Sequence, residues 1–156
     1  MKGQTCMQKL DPQYIIGFVD GEGCFCVSVS KHKTLRRRIE IRPMFEIELR
    51  SDDREILERI KDTLKCGNIY TLKYKRYDWQ EHVKFKVSNI SELVGTLIPF
   101  FDKYPLQGKK KEVYKRFRSV VLMMYRKEHL SSDGFKRILK LRDEIRSYSK
   151  KHYRNR

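Results

Sequence analysis

The sequence predicts an α+β fold with elements in the order αββαββα and extra helices at the C-terminal end. Three observations carry this expectation. A short apolar helix signal comes first, two pairs of alternating apolar strands flank an amphipathic helical stretch, and a long charged helical region follows. The 156 residues are expected to form one domain: a tail over 1–10, an αββαββα core over 11–100, and a C-terminal loop and helices over 101–150. A chain of this length can bury a sizeable core.

Asp11-Pro12 marks the first helix start. Asp is a favoured N-cap, and Pro suits the first helical position because its missing N–H would have had no partner there. The helix is expected from Gln13 to about Asp20, stopping at Gly21 and Gly23. Its run of Tyr14, Ile15, Ile16, Phe18 and Val19 leaves no polar side, which predicts burial all round, including against a second copy. From Cys24 the period becomes two: Phe25, Val27 and Val29 alternate with Cys24, Cys26, Ser28 and Ser30. After the basic turn Lys31 to Thr34, a second strand sets Ile39, Ile41, Phe45, Ile47 and Leu49 on one face, with Pro43 interrupting. Arg36, Arg38, Glu40, Arg42, Met44, Glu46 and Glu48 fall on the other.

Ser51-Asp52-Asp53 opens a helix to about Lys65, with Ile56, Leu57, Ile60 and Leu64 as its apolar stripe and Cys66-Gly67-Asn68 as its stop. Asn68 to Tyr74 and Asp78 to Val87 read as a hairpin around a basic turn. A short helix from Ser91 to Ile98, a loop through Pro99 and Pro105, and helices over about Lys110 to Lys127 and Ser132 to Ser149 complete the chain.

Thirty-six Lys and Arg against twenty Asp and Glu give a formal charge of +16. Such a field favours a polyanion as partner. No apolar run approaches the roughly 20 residues that span a bilayer. Lys2 and the final Tyr-Arg-Asn-Arg fit no lipidation signal, and the first ten residues lack a secretory apolar stretch, so no membrane partner is expected. Cys6, Cys24, Cys26 and Cys66 form neither a C-x-x-C pair nor a zinc-finger spacing with histidine. They are expected as free thiols in a reducing, intracellular setting.

The polar face of the predicted sheet carries Arg38, Glu40, Arg42, Glu46, Lys84 and Lys86, with Lys31, His32, Lys33, Lys75 and Arg76 in its turns. A twisted antiparallel ribbon fits the DNA major groove, where Arg pairs with guanine and Glu accepts from cytosine. A face that only bound phosphates would have little use for acids among its arginines. The competing account is a solvated face of cross-strand ion pairs.

Gly17 and Gly21 are four residues apart and share one helix face, where the absent side chains allow another backbone to approach closely. Glycine inside a helix costs about 1 kcal/mol against alanine, so packing is expected to offset it. Asp20 and Glu22 stand at and just past the negative end of the helix dipole. A divalent cation would reverse that penalty, and the carbonyls at Gly21 and Gly23 add oxygen ligands that suit Mg²⁺.

The segment Ile15-Ile16-Gly17-Phe18-Val19-Asp20-Gly21-Glu22-Gly23 resembles the LAGLIDADG motif of homing endonucleases. Gly17, Asp20 and Gly23 match it, and Glu22 stands at its second acidic position. The element order is similar to that family over nearly the whole chain. So are the strings Phe101 to Lys110 and Gly134 to Ile138, and the motif occurs once. The resemblance, to the single-motif type encoded in group I introns, implies a homodimer packed through Ile16, Gly17, Val19, Asp20 and Gly21. It also implies two saddle-shaped sheets on one long, near-palindromic double-stranded DNA site. Glu22 would be the metal ligand, assisted by the Gly21 carbonyl, with Mg²⁺ as cofactor and Mn²⁺ or Ca²⁺ able to occupy the site. Asp20 would support the helix ends across the interface, and either Lys109 or Lys110 would polarise the cleavage site.

The DNA-contacting set implied is Ser28, Ser30, His32, Arg38, Glu40, Arg42, Glu46, Asn68, Tyr70, Lys73, Lys75, Arg76, His82 and Lys84. The expected activity is a metal-dependent double-strand break that promotes intron homing. The expected setting is an organelle (chloroplast or mitochondrion) or a bacterial or archaeal cytoplasm, with intron RNA as a further partner. Relatives often end the second strand in a water-ordering Gln. Here Leu49 stands near that position, leaving Glu48 or the Asp52-Asp53-Arg54 group as substitutes. Two other readings compete: a maturase-like RNA binder that aids splicing without cutting DNA, and an unrelated ribosome-associated basic protein. The second leaves the Gly17/Gly21 helix unexplained.

Overall fold

The computed structural model describes residues 8–74 and 80–153. Helix α1 spans Pro12–Glu22, with the Asp11 carboxylate accepting the Gln13 N–H at 2.7 Å and Pro12 in the first turn. The helix runs past its expected stop, because the Val19 carbonyl accepts the Gly23 N–H and carries the helical bonding through Gly21 and Glu22. It is also two-sided rather than apolar all round. Ile15, Ile16 and Val19 are buried in the chain's own core, while Tyr14, Gly17 and Gly21 are exposed.

Strand β1 (Gly23–Lys31) pairs antiparallel with β2 (Ile39–Arg50), from Gly23 opposite Ile47 to Lys31 opposite Ile39. The connecting turn closes by the His32 N–H to the Arg38 carbonyl at 2.8 Å and the Arg38 N–H to the Leu35 carbonyl at 2.7 Å. Arg38 has φ 52, so this residue, expected in the strand, lies in the turn. Pro43 does not interrupt β2. It pairs with Val27 beyond the end of the β4 ladder, which starts at Phe45, so no hydrogen bond to β4 is forfeited there.

A 3-10 turn at Ser51–Asp53 leads into α2 (Arg54–Leu64), which buries Leu57, Ile60 and Leu64. Lys65 ends it at φ 61, and Gly67 at φ 81 turns the chain into β3 (Asn68–Leu72). An alanine Cβ at Gly67 would lie 2.6 Å from the Phe85 ring. Strand β4 (His82–Val87) inserts between β2 and β3, giving the antiparallel order β1-β2-β4-β3. Helices α3 (Ile90–Glu92) and α4 (Ile98–Lys103) flank a π-helical stretch at Leu93–Leu97. The expected loop through Pro99 is therefore helix, with Pro99 in the first turn of α4 where its missing N–H is tolerated. Helices α5 (Lys110–Tyr125) and α6 (Ser132–Tyr153) follow. Among the described residues no helix is long and apolar enough to cross a membrane.

The side chains of each strand split by parity. Phe25, Val27, Ile41, Phe45, Ile47, Val83, Phe85 and Val87 point into one core with Phe101, Tyr114 and Phe117. Phe45 sits at the middle of it, with ring centroids 4.9 Å from Phe25 and 5.7 Å from Phe101. The opposite parity is left open to solvent along the whole sheet, and this is the surface on which the site is built. Phe45→Ala is expected to lower unfolding stability by about 3–5 kcal/mol in a urea titration, since the cavity lies under the sheet centre.

Candidate functional site

The corner between α1 and β1 fixes where the acids stand. A Cβ at Gly23 would fall 2.6 Å from Val19 Cγ1 and 3.2 Å from the Phe45 ring, so the helix end is pressed onto the sheet as only glycine permits. Glu22, the last helical residue, is therefore held at the rim of the open sheet face. Its carboxylate is exposed and makes no hydrogen bond or ion pair among the described residues.

Asp20 does something different. Its Oδ2 accepts the Gln107 N–H at 2.9 Å and its Oδ1 accepts the Gly108 N–H at 3.2 Å. The carboxylate thus holds the loop before α5 within its own chain, where support of the helix ends across an interface was expected. That loop delivers the lysines. Lys110 Nζ donates to the Val19 carbonyl at 2.9 Å, a cation placed on the negative end of the helix dipole. Burial holds its ammonium below the usual lysine range, although Cys24, Asp20 and Glu22 all pull the other way. Lys109 is exposed and starts the helix. Of the two lysines, Lys110 is the one brought to the acids.

A divalent cation fits this donor set in kind. An unpaired carboxylate beside an exposed glycine offers hard oxygen ligands, and Mg²⁺ is commonly held by one or two carboxylates while keeping waters and substrate phosphates. Among the described residues no three His, Cys, Asp or Glu side chains converge.

Gly17 and Gly21 leave open space: a Cβ at either would meet nothing within 4 Å. With exposed Tyr14, whose ring stacks on Phe18 at 6.1 Å, they form a bare strip on α1. Ile16 and Val19, expected to meet a partner chain, are 1% and 0% exposed and are consumed by the chain's own core, so the strip displaces them as the outward face of the helix.

On the open sheet face, strand register lines up Cys24, Glu46, Lys86 and Asn68 in one row, and Glu48, Lys84 and Tyr70 in the next. Ser28 stands opposite Arg42 and Ser30 opposite Glu40. Of the expected contact residues, these share one face with His82, while His32 and Arg38 sit at its turn and Lys73 just past β3. Lys75 and Arg76 lie outside the described residues. Much of the face is internally paired: Arg42 with Glu40 at 2.7 Å, and Lys84 with Glu46 and Glu48 at 3.4 Å. Partial burial opposes the charge on Glu48, yet the Tyr74 hydroxyl at 2.6 Å and His82 Nδ1 at 3.1 Å hold its carboxylate below the ordinary range. Glu48 is thus already occupied, and Leu49 packs on the core side.

Sequence reasoning missed the role of Tyr74 and the setting of Cys24 among lysines from other elements. Cys24, exposed beside Lys110 and Lys84, has its thiol drawn down to about 7, first by a hydrogen bond from Cys26. The register, which no single strand reveals, was the missing signal. Cys24, Cys26 and Cys66 carry free thiols.

Comparison with known proteins follows the same lines. Residues 15–121 match the model of the LAGLIDADG endonuclease family. A probable intron-encoded endonuclease of Neurospora crassa is 32% identical over 132 residues, 85% of this chain and 26% of that protein. Homing endonuclease I-ApeII of Aeropyrum pernix is 30% identical over 117 residues, 74% of this chain and 65% of its own. The chain spans 23–34% of the fungal relatives it matches, 27% of one from Podospora anserina. Among solved structures, homing endonuclease I-TnaI superposes with TM-score 0.79 at 32% identity, covering 88% of both chains. I-LtrWI bound to target DNA gives 0.82 at 28% identity, covering 92% of this chain and 47% of its own. I-SmaMI bound to uncleaved DNA with calcium gives 0.77 at 28% identity, covering 88% and 46%. The match covers more than half the chain, and the fold is shared with solved homing endonucleases: the chain belongs to the LAGLIDADG endonuclease family.

Proposed function

We propose that this chain is a site-specific endonuclease that, as a homodimer, makes a divalent-cation-dependent double-strand break in a long, near-palindromic DNA target and so promotes homing of an intron that encodes it. The observation that carries this reading is Glu22: an exposed, unpaired carboxylate at the rim of an open polar sheet, beside the half-buried Lys110. The DNA-bound relatives I-LtrWI and I-SmaMI support DNA as substrate, and the calcium of the latter supports a divalent cation. The maturase-like alternative is not favoured, since the relatives carry the names of endonucleases.

Each residue has a task that follows from its place. Glu22 and the Gly21 carbonyl would hold Mg²⁺, which when bound supplies a Lewis acid and an activated water. Lys110, fixed on the Val19 carbonyl, places a positive charge where a phosphate would gain negative charge in the transition state. Asp20 keeps that lysine in place by holding residues 107 and 108. On the sheet, the exposed ion pair of Arg42 and Glu40 is worth at most about 1 kcal/mol, so it exchanges readily for contacts to phosphate and base edges.

The bare strip of Tyr14, Gly17 and Gly21 supports a second copy as the neighbour of α1.

Glu22→Gln is expected to abolish cleavage of the target with Mg²⁺ or Mn²⁺ while leaving duplex affinity within a few-fold. A wild-type protein that binds its best duplex and never nicks it with either ion would refute the nuclease reading. Lys110→Met should slow single-turnover cleavage by about a hundredfold to a thousandfold with little change in binding. Gly17→Leu, whose side chain enters open space in the isolated chain, should leave the monomer folded by circular dichroism and shift sedimentation from dimer to monomer. An unaltered dimer in that variant would place the interface elsewhere.

A further inference from the structure

The free edge of the sheet carries a second feature. Strand β1 is an edge strand, and α6 packs along it. Between them runs an open cleft of about 260 Å³, lined on the sheet side by Cys24, Phe25, Cys26, Val27 and Ser28 and on the helix side by Arg142, Ile145 and Arg146. Cys24, Cys26 and Ser28 belong to the open face that also carries the site, while Phe25, Val27 and Ile145 form the apolar floor, so the cleft wraps the strand edge and one of its walls is part of that face.

The two arginines differ in a telling way. Arg146 is exposed and pairs with no acid among the described residues. The Arg142 side chain is only 17% exposed, and its Nε is buried without a hydrogen bond. The Asp143 carboxylate forms an ion pair with that Nε at 3.1 Å, out of line for a hydrogen bond, and its side chain is 67% exposed. The rest of the guanidinium makes no hydrogen bond among the described residues, so its other N–H groups are available to an acceptor that enters the cleft. No acidic side chain lines the cleft. Its volume exceeds the roughly 30 Å³ share of one water several-fold, enough for a phosphate group. A guanidinium pair offers the forked donors that a tetrahedral anion takes.

We infer that the cleft between β1 and α6 is a phosphodiester-binding subsite, in which Arg142 and Arg146 grip the DNA backbone alongside the β1 edge of the open sheet face. The subsite rests on the reading of this chain as a DNA-binding protein. It assigns α6, a helix outside the αββαββα unit, a part in holding the substrate. A backbone contact positions without reading sequence, so it adds affinity that is equal for matched and mismatched sites.

The test is the salt dependence of duplex binding by the full chain, with Arg146→Gln as the main variant because its side chain is exposed. Arg142→Gln is the second, accepted only if its urea midpoint matches wild type. Each should reduce the slope of log affinity against log salt by about one, and weaken target and scrambled duplexes by the same factor. Iodoacetamide labelling read by peptide mass gives an independent view: duplex should protect Cys24 in wild type and protect it less in Arg146→Gln. Unchanged slopes in both variants, or a loss confined to the target sequence, overturn the subsite. Wild type that binds no duplex at any salt overturns the DNA-binding reading instead, and the two failures are distinct.

Discussion

The contact between Gly23 and the Val19 and Phe45 side chains governs the rest of the molecule. It forces α1 to end flush against the first strand. This one close approach sets the direction in which β1 leaves, and hence which parity of its residues enters the core. It also brings the Val19 carbonyl to a point that Lys110 can reach from the far end of the sequence. The motif thus holds glycines with unlike duties. Gly23 is tight against its neighbours, whereas Gly17 and Gly21 face empty space. The acids divide likewise: Asp20 is spent on the backbone of residues 107 and 108, and Glu22 is left unpaired.

Alternation made most of this legible in the sequence. A period of two is enforced by backbone geometry, so the inward residues from Phe25 to Val87 could be named without knowing which strands pair. The failures share a cause. Arg38 reads as strand because parity continues through a turn on paper, while the chain itself reverses at a left-handed residue. Pro43 looked like an interruption because the extent of its neighbour β4 cannot be seen locally. Ile16 and Val19 looked available to a partner because an apolar helix does not say how much of it the parent chain will cover. The choice between Lys109 and Lys110 depended on the register of a loop that Asp20 sets from 87 residues away.

Electrostatics on the open face show why a chain of formal charge +16 does not simply repel itself there. Glu46 and Glu48 sit among Lys84, Lys86 and His82, and each acid faces a cation across a strand. The pairing keeps long side chains extended over the sheet and defined in direction. On the proposed reading, an arriving duplex exchanges these weak surface pairs for contacts of its own rather than ordering a set of free side chains.

The parity of the sheet also bears on how such a protein diversifies. Ser28, Ser30, Arg42 and Tyr70 lie on the open side and take no part in the apolar core, whereas Val27, Ile41 and Phe85 on the other side do. Substitutions in the first set can accumulate with little penalty to folding, while the second set stays under packing constraint. A lineage built on this sheet can therefore drift toward new recognition surfaces on an unchanged scaffold, and a laboratory library restricted to the open parity should keep most of its members folded.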